Sequence, residues 1–412
     1  MKSIWMALVK IILCISFIAN GLSTCAAQAE CFDGELVVIY TQSQLDSLMN
    51  EYPDCETFAG TLLLTSDGTD PVTNVDAFSN IQSFTRQLGI VDQPVLNDLS
   101  GLSNVKEVNS FFFRDNQALE SFTGLENLEE ITGRCIIRYN EGLVDLSGLQ
   151  NLRVAQEQID IAFNENLSSL SGLESLQSVG GRFYIGNNPV LSSIDALENL
   201  ETVGGAFHIV ASPNLYEIAR IDNFHSVGEL LISGNPNLAF LSGMSGLVDV
   251  EENIKIWNNP ALTSLEGLSN VDGEGLERFD IFNNTSLSVC HIASVCDAIQ
   301  SNTSNTSIFN NASGCNSADE VLLQCTTSTK DLFESSTSIY PNPSQGMVTI
   351  DFGVAQSGIV KVIDISGRLV LQSAYKNDRF VNIDLANHAG VNMICIYHHD
   401  GSVEVLKHIT AE

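Results

Sequence analysis

From residue 111 to residue 290, apolar and polar positions return at a fixed step. The leucines Leu119, Leu143, Leu167, Leu191, Leu215, Leu238, Leu262 and Leu287 follow one another at intervals of 23 to 25 residues. A second column keeps the same step: Phe113, Ile137, Ile161, Ile185, Ile209, Ile232, Ile256 and Ile281. A third column is asparagine at Asn116, Asn140, Asn164, Asn188, Asn235, Asn259 and Asn284, with Ser212 as its exception. Columns that stay in phase over eight units mark a repeat architecture, in which each unit buries its apolar face only against its neighbours. Within a unit, Phe183-Tyr184-Ile185 alternates apolar, polar, apolar, which predicts a short strand with one face buried. One strand per unit makes each coil one rung of a parallel sheet, and roughly ten coils at the strand spacing give a length of about 45 Å.

The asparagine column suits a corner where the chain leaves the ladder, because a buried carboxamide can satisfy backbone groups there. Gly124, Gly148, Gly172, Gly243 and Gly267 fall where a Cβ would crowd the next coil. The regular pattern lapses at one coil, where Ser212 replaces asparagine and Arg220 replaces glycine. Open ends of a stack need caps. At the front, Thr41-Gln42-Ser43-Gln44 matches a capping box ahead of Leu45, Leu48 and Met49, which predicts a short helix. At the back, a cysteine-rich segment serves, and the small polar run Ser301 to Ser313, with sequons at Asn302, Asn305 and Asn311, is expected to be loop.

A Ser/Thr-rich stretch over 326–338 reads as a linker. Beyond it, alternating segments at 347–352, 358–365, 379–385 and 391–397, separated by Gly, Asp and Asn turns, predict a small antiparallel β-sandwich over 339–412. The expected fold is therefore mainly β: a β-solenoid over 30–325 followed by an Ig-like sandwich. At the start, Met1-Lys2, an apolar run from Ile11 to Ile18 and Ala27-Gln28-Ala29 have the form of a signal peptide over 1–29, too short to span a bilayer.

Export changes the meaning of the cysteines. Of the ten, Cys14 and Cys25 fall in the leader, and an oxidising compartment favours disulfides among Cys31, Cys55, Cys290, Cys296, Cys315 and Cys325. Cys31 pairs with Cys55; the other four allow three pairings, of which Cys290–Cys315 with Cys296–Cys325 is the one adopted. Cys135 and Cys395 lie in strand patterns, where buried inert thiols are the norm. The formal net charge is −32, and residues 30–329 hold only ten basic side chains against 41 acidic ones. Such a surface repels nucleic acid, whose binding depends on Lys and Arg neutralising phosphates.

The repeat unit, together with the opening Cys31…Cys55-Glu56-Thr57-Phe58-Ala59-Gly60-Thr61-Leu62, resembles leucine-rich-repeat and bacterial receptor-L-domain-like proteins, which implies a right-handed solenoid. The tail, Tyr340-Pro341-Asn342-Pro343…Gly346 followed by Val362-Ile363-Asp364-Ile365-Ser366-Gly367-Arg368 and the strand opened by Ala389-Gly390, is similar to the type A sorting domain of the type IX secretion system. That resemblance implies Sec export to the periplasm, translocation across the outer membrane, and partners in the type IX machinery and its sorting protease. The product would then be released or anchored to surface lipopolysaccharide. Motifs of hydrolases, P-loops, dinucleotide sites and zinc proteases are missing from suitable contexts, so neither catalysis nor a cofactor or metal is expected.

Binding, if the coils perform it, belongs to residues that alternate with the buried columns. One outward file runs through Phe112, Ile136, Asp160, Tyr184, His208, Leu231, Lys255 and Asp280; the next includes Arg114, Arg138, Ala162, Gly186, Val210, Ser233, Trp257 and Phe282. From these, Phe112, Arg114, Arg138, Tyr184, His208, Lys255, Trp257 and Phe282 form the candidate face for a protein or glycan ligand. The competing expectation is a passive surface or coat component that uses its coils as a rigid spacer.

Overall fold

The computed structural model describes residues 30–301, 305–327, 337–341, 344, 346–364, 368–386, 388, 390–398 and 403–410. The leader over 1–29 and Asn302 lie outside the described residues, as do residues 328–336 of the expected linker. The chain divides into two compact units between Cys325 and Thr326.

The first unit is a large parallel sheet whose neighbouring rungs are one repeat apart. Cys135–Arg138 pairs with Ile159–Ala162, and that with Phe183–Gly186, in strict register. Twelve such rungs are present among the described residues, from Leu36–Ile39 to Thr306–Phe309, or roughly 53 Å at a strand spacing of about 4.8 Å. Two rungs beyond the expected ten come from the ends. Thr306–Phe309, expected to be loop, pairs with Arg278–Phe282 and is the last rung. A second, shorter ladder runs beside the first, pairing Glu130–Ile131 with Val154–Ala155 and Val154–Ala155 with Ser178–Val179. In the longer strands a register shift, as between Val203 and Ala206, separates the two ladders.

The apolar columns are fully buried from coil to coil, Phe113, Ile137, Ile161 and Ile185 among them, and every buried side chain of this size contributes about 1.5–3 kcal/mol. Phenylalanines thicken this core in places: Phe111, Phe113 and Phe122 pack with ring centroids 4.3 to 5.4 Å apart. The asparagine column forms a hydrogen-bonded ladder on either side of Ser212, where the side-chain link to the next coil is lost. Asn164 Nδ2 donates to the Ile137 carbonyl at 3.0 Å, while its Oδ1 accepts from the Asn140 backbone N–H at 3.0 Å. The ladder continues to Asn311, whose Nδ2 donates to the Ile281 carbonyl at 2.9 Å. Asn311, expected in a loop, thus completes the column.

At the other end the column begins with Gln93, whose backbone N–H donates to Asn116 Oδ1 at 3.2 Å. Its fully buried carboxamide finds no partner among the described residues, being one methylene too long for the position. Gln93→Asn is expected to stabilise the unit by about 1 kcal/mol, the order of one unsatisfied buried amide, by letting the amide reach the Leu64 carbonyl one rung back. A urea midpoint no higher than that of the parent would show that the extra methylene matters more for packing than the missing hydrogen bonds do.

Helix α1, Gln42–Glu51, caps the front with Leu45 and Met49 buried. Thr41 Oγ1 accepts from the Gln44 backbone N–H at 3.2 Å, but the reciprocal bond goes to the residue before the cap: Gln44 Oε1 accepts from Tyr40 N at 2.8 Å. At the back stand α2, Ala293–Ser301, and α3, Ala318–Thr327, which reaches two residues into the expected linker. Disulfides join Cys31–Cys55, Cys290–Cys315 and Cys296–Cys325, so all three lie at the capped ends. Cys135 and Cys395 are free and buried.

The second unit is a five-stranded antiparallel sheet. The two segments expected at 347–352 and 358–365 are one bulged strand, Met347–Asp364, which pairs with Leu369–Asp384 along its length. Its second half also pairs with Gly390–His398, which in turn pairs with Val403–Thr410. The last strand and the first half of Leu369–Asp384 were missed in the sequence because their apolar positions are broken by Lys, Gln and Ser. Val348, Ile350, Phe352, Val360, Val362, Ile394 and Ile396 form the core of this unit.

Candidate functional site

Rung register decides which outward side chains meet. Asp160, on the first outward file, is not exposed: it is fully buried, and Arg138 grips it with Nε on Oδ1 at 2.6 Å and Nη2 on Oδ2. Arg182 Nη2 reaches the same Oδ2 at 3.1 Å. Burial of an unpaired carboxylate would be prohibitive, and two guanidiniums from neighbouring coils remove that cost. Asp160 in turn holds the Arg138 guanidinium above its ordinary value, chiefly through its hydrogen bond. Asp280, Ala162, Gly186 and Ser233 are likewise buried, Gly186 beneath the Tyr184 ring.

His208 and Lys255 converge on Glu229. His208 Nε2 lies 3.1 Å from Glu229 Oε1, Asn253 Nδ2 donates to Oε2 at 3.0 Å, and Lys255 Nζ bonds the same oxygen. Burial lowers the His208 imidazole below its usual range, against the pull of Glu229. For Glu229 burial acts upward, but the hydrogen bonds from Lys255, His208 and Asn253 outweigh it and keep the carboxyl low. Both candidate side chains are thus engaged with the protein's own carboxylate.

The aromatic candidates form two groups. Tyr184 is half-buried beneath Arg182, whose guanidinium sits 5.3 Å from the ring centroid. Trp257 and Phe282 stack at 5.1 Å, and Phe282 stacks on Phe309 at 4.8 Å with planes 1° apart, so three rungs share one aromatic file. Phe309 was absent from the candidate set because its rung was expected to be loop. Phe112 is half-buried, and Arg114 is exposed with Nε 2.9 Å from Asp115.

A further aromatic pair escaped the sequence altogether. The residue before each ladder position is left-handed: Asp92, Asp115, Tyr139, Phe163, Asn187, Ala211, Asn258, Asn283 and Asn310 have φ between 49° and 57°, and Gly234 has φ 70°. Asn and Asp tolerate this conformation; Tyr139 and Phe163 pay for it in strain. Their rings stack at 4.8 Å beside a shallow depression of about 470 Å³ that includes Pro189, Pro213 and Pro236. Two bulky aromatics in a column otherwise given to small or Asx residues were the available signal.

In the second unit, Tyr340 is exposed, precedes a cis peptide to Pro341, and lies on the edge strand Ser338–Tyr340. Gly346, at φ +125°, packs so closely on Ala386 that a Cβ would lie 2.9 Å from its Cα. Asp364 closes a hairpin, accepting from Arg368 N and Nε at 3.1 Å each. Gly390 opens its strand at φ +109°. Asn342, Pro343 and Gly367 of the expected motif lie outside the described residues.

Residues 338–409 match the family described as secretion system C-terminal sorting domain. No curated protein matches the chain at a significant level.

Proposed function

We infer that the sorting domain at 338–409 directs export by type IX secretion to the outer surface or the extracellular space, in contact with that machinery. We propose that the exported cargo, residues 30–325, is a right-handed solenoid of the leucine-rich, receptor-L-domain-like kind and a non-catalytic binding protein. Its ligand is a protein or glycan held on the outward face of the rungs, and the product is released or anchored to surface lipopolysaccharide. The second unit, in this proposal, is an Ig-like sandwich that the sorting protease removes.

The observation that supports binding most directly is the half-exposed stack of Trp257, Phe282 and Phe309. Three aligned aromatic faces kept in contact with water are a surface that a sugar ring or an apolar side chain can cover. The export step is tested by fractionating cells that express the full chain or a form ended after Thr327, which keeps α3 whole. The full chain is expected outside the cell and the shortened form in the periplasm; equal export of both would make residues 338–412 an ordinary β-domain. For binding, Trp257→Ser with Phe282→Ser should abolish retention of ligand on intact cells, whereas undiminished surface function would favour the spacer.

A further inference from the structure

Ten basic side chains serve 41 acidic ones across residues 30–329, yet four of those ten line a single groove. Arg114, Arg134, Arg138 and Arg182 surround a depression of about 470 Å³ on the outward sheet face, with Asp160 as the one carboxylate in its lining. We propose that this groove binds an anionic oligosaccharide through these four arginines, an assignment that rests on the surface-binding function proposed for the chain.

The placement is costly without a ligand. Arg114 stands directly opposite Arg138 on the adjacent rung, and like charges facing across strands destabilise a sheet. Asp160 relieves Arg138 and Arg182, and Arg114 is only partly offset by the exposed Asp115 at 2.9 Å. Arg134 has only a loose partner in Glu157 at 3.8 Å, and its side chain is 70% exposed. Meanwhile the buried carboxylate holds two guanidiniums fixed, so less side-chain entropy is lost when they engage an anion. Arg134 and Arg182 begin rungs two steps apart, which sets their backbones roughly 10 Å from each other.

The rest of the lining suits a sugar. Phe112 offers a half-buried ring to C–H faces, while Gln87, Ser110 and Gln158 can exchange hydrogen bonds with hydroxyls. A peptide adding as a strand would need a free edge, and the backbone here is paired on both sides. A long polyanion such as duplex nucleic acid would meet the surrounding acidic surface.

The test uses the full exported chain and calorimetric titration with a short oligogalacturonate, its methyl ester, a sulfated oligosaccharide of equal length, and polyglutamate. Expected is binding to the carboxylated or the sulfated sugar, the stronger of the two naming the anion, with affinity falling as salt rises and no binding to the ester. The variant Arg114→Gln with Arg134→Gln leaves the Asp160 cluster intact and should weaken binding roughly tenfold or more, with a melting temperature no lower than that of the parent. The proposal is overturned by no binding to either anionic sugar, by equal binding of the ester or of polyglutamate, or by an unaffected double variant. Fractionation of the same cells separates the two levels: loss of export refutes the surface role, whereas export without sugar binding refutes only the groove.

Discussion

Gly148→Ala is expected to lower the stability of the repeat unit by upward of about 3 kcal/mol, the sum of strain at positive φ and overpacking between coils. Gly148 has φ +107°, and a Cβ there would lie 1.9 Å from the Phe122 carbonyl oxygen of the preceding coil. Neither neighbour can yield without separating two rungs, because the contact is with backbone. Gly68→Ala supplies the control: φ is +81° but nothing lies within 4 Å of the new methyl, so only the strain of about 1–2 kcal/mol applies. Trp257 is the one tryptophan after residue 29, so its fluorescence follows this unit in urea. Equal midpoints for the two variants would mean that the coils are free to part at Gly148. At the equivalent position in the irregular coil, Arg220 adopts φ 56°, showing that a side chain is accommodated only where the turn itself changes.

Asn164→Ala should cost about 3 kcal/mol, with two buried backbone groups each losing a partner at about 1–3 kcal/mol. The Ile137 carbonyl loses the Nδ2 donor at 3.0 Å, and the Asn140 N–H loses the Oδ1 acceptor at 3.0 Å. Water cannot replace them, because the column is fully buried. The contrast is with a second asparagine column, unforeseen in the sequence, that includes Asn104, Asn127, Asn151, Asn199 and Asn223. Asn151 Nδ2 donates to the Glu126 carbonyl at 2.7 Å, but at an exposed corner where solvent can take over. Asn151→Ala should therefore cost less than about 1 kcal/mol. Similar losses at the two sites would refute burial as the source of the ladder's value.

The second prediction contrasts two asparagine columns of which only one was visible beforehand. The buried ladder stood out because its residues repeat in phase with the apolar columns; the exposed one sits among Ser, Glu and Gly, where asparagine is unremarkable. The last rung was missed for a related reason. Between Ile281 and Ile308 the step lengthens to 27 residues, so a template of 24 loses phase and Ser, Thr and Asn then suggest a loop.

The sequence by itself determined the rung period, the buried columns, the glycine corners, the capping helix, the Cys31–Cys55 pair and the separate C-terminal sheet. These are local or strictly periodic properties: a side chain's place in a coil follows from its distance along the chain, whatever its neighbours do. Only the tertiary structure decided which outward residues share a site. Asp160 vanished from the surface because arginines on the rungs before and after it closed over it, and His208 and Lys255 turned to Glu229 rather than to solvent. Long polar side chains reach one or two rungs to either side, so their partners depend on register and on which charge is nearest, quantities that spacing along the chain does not contain.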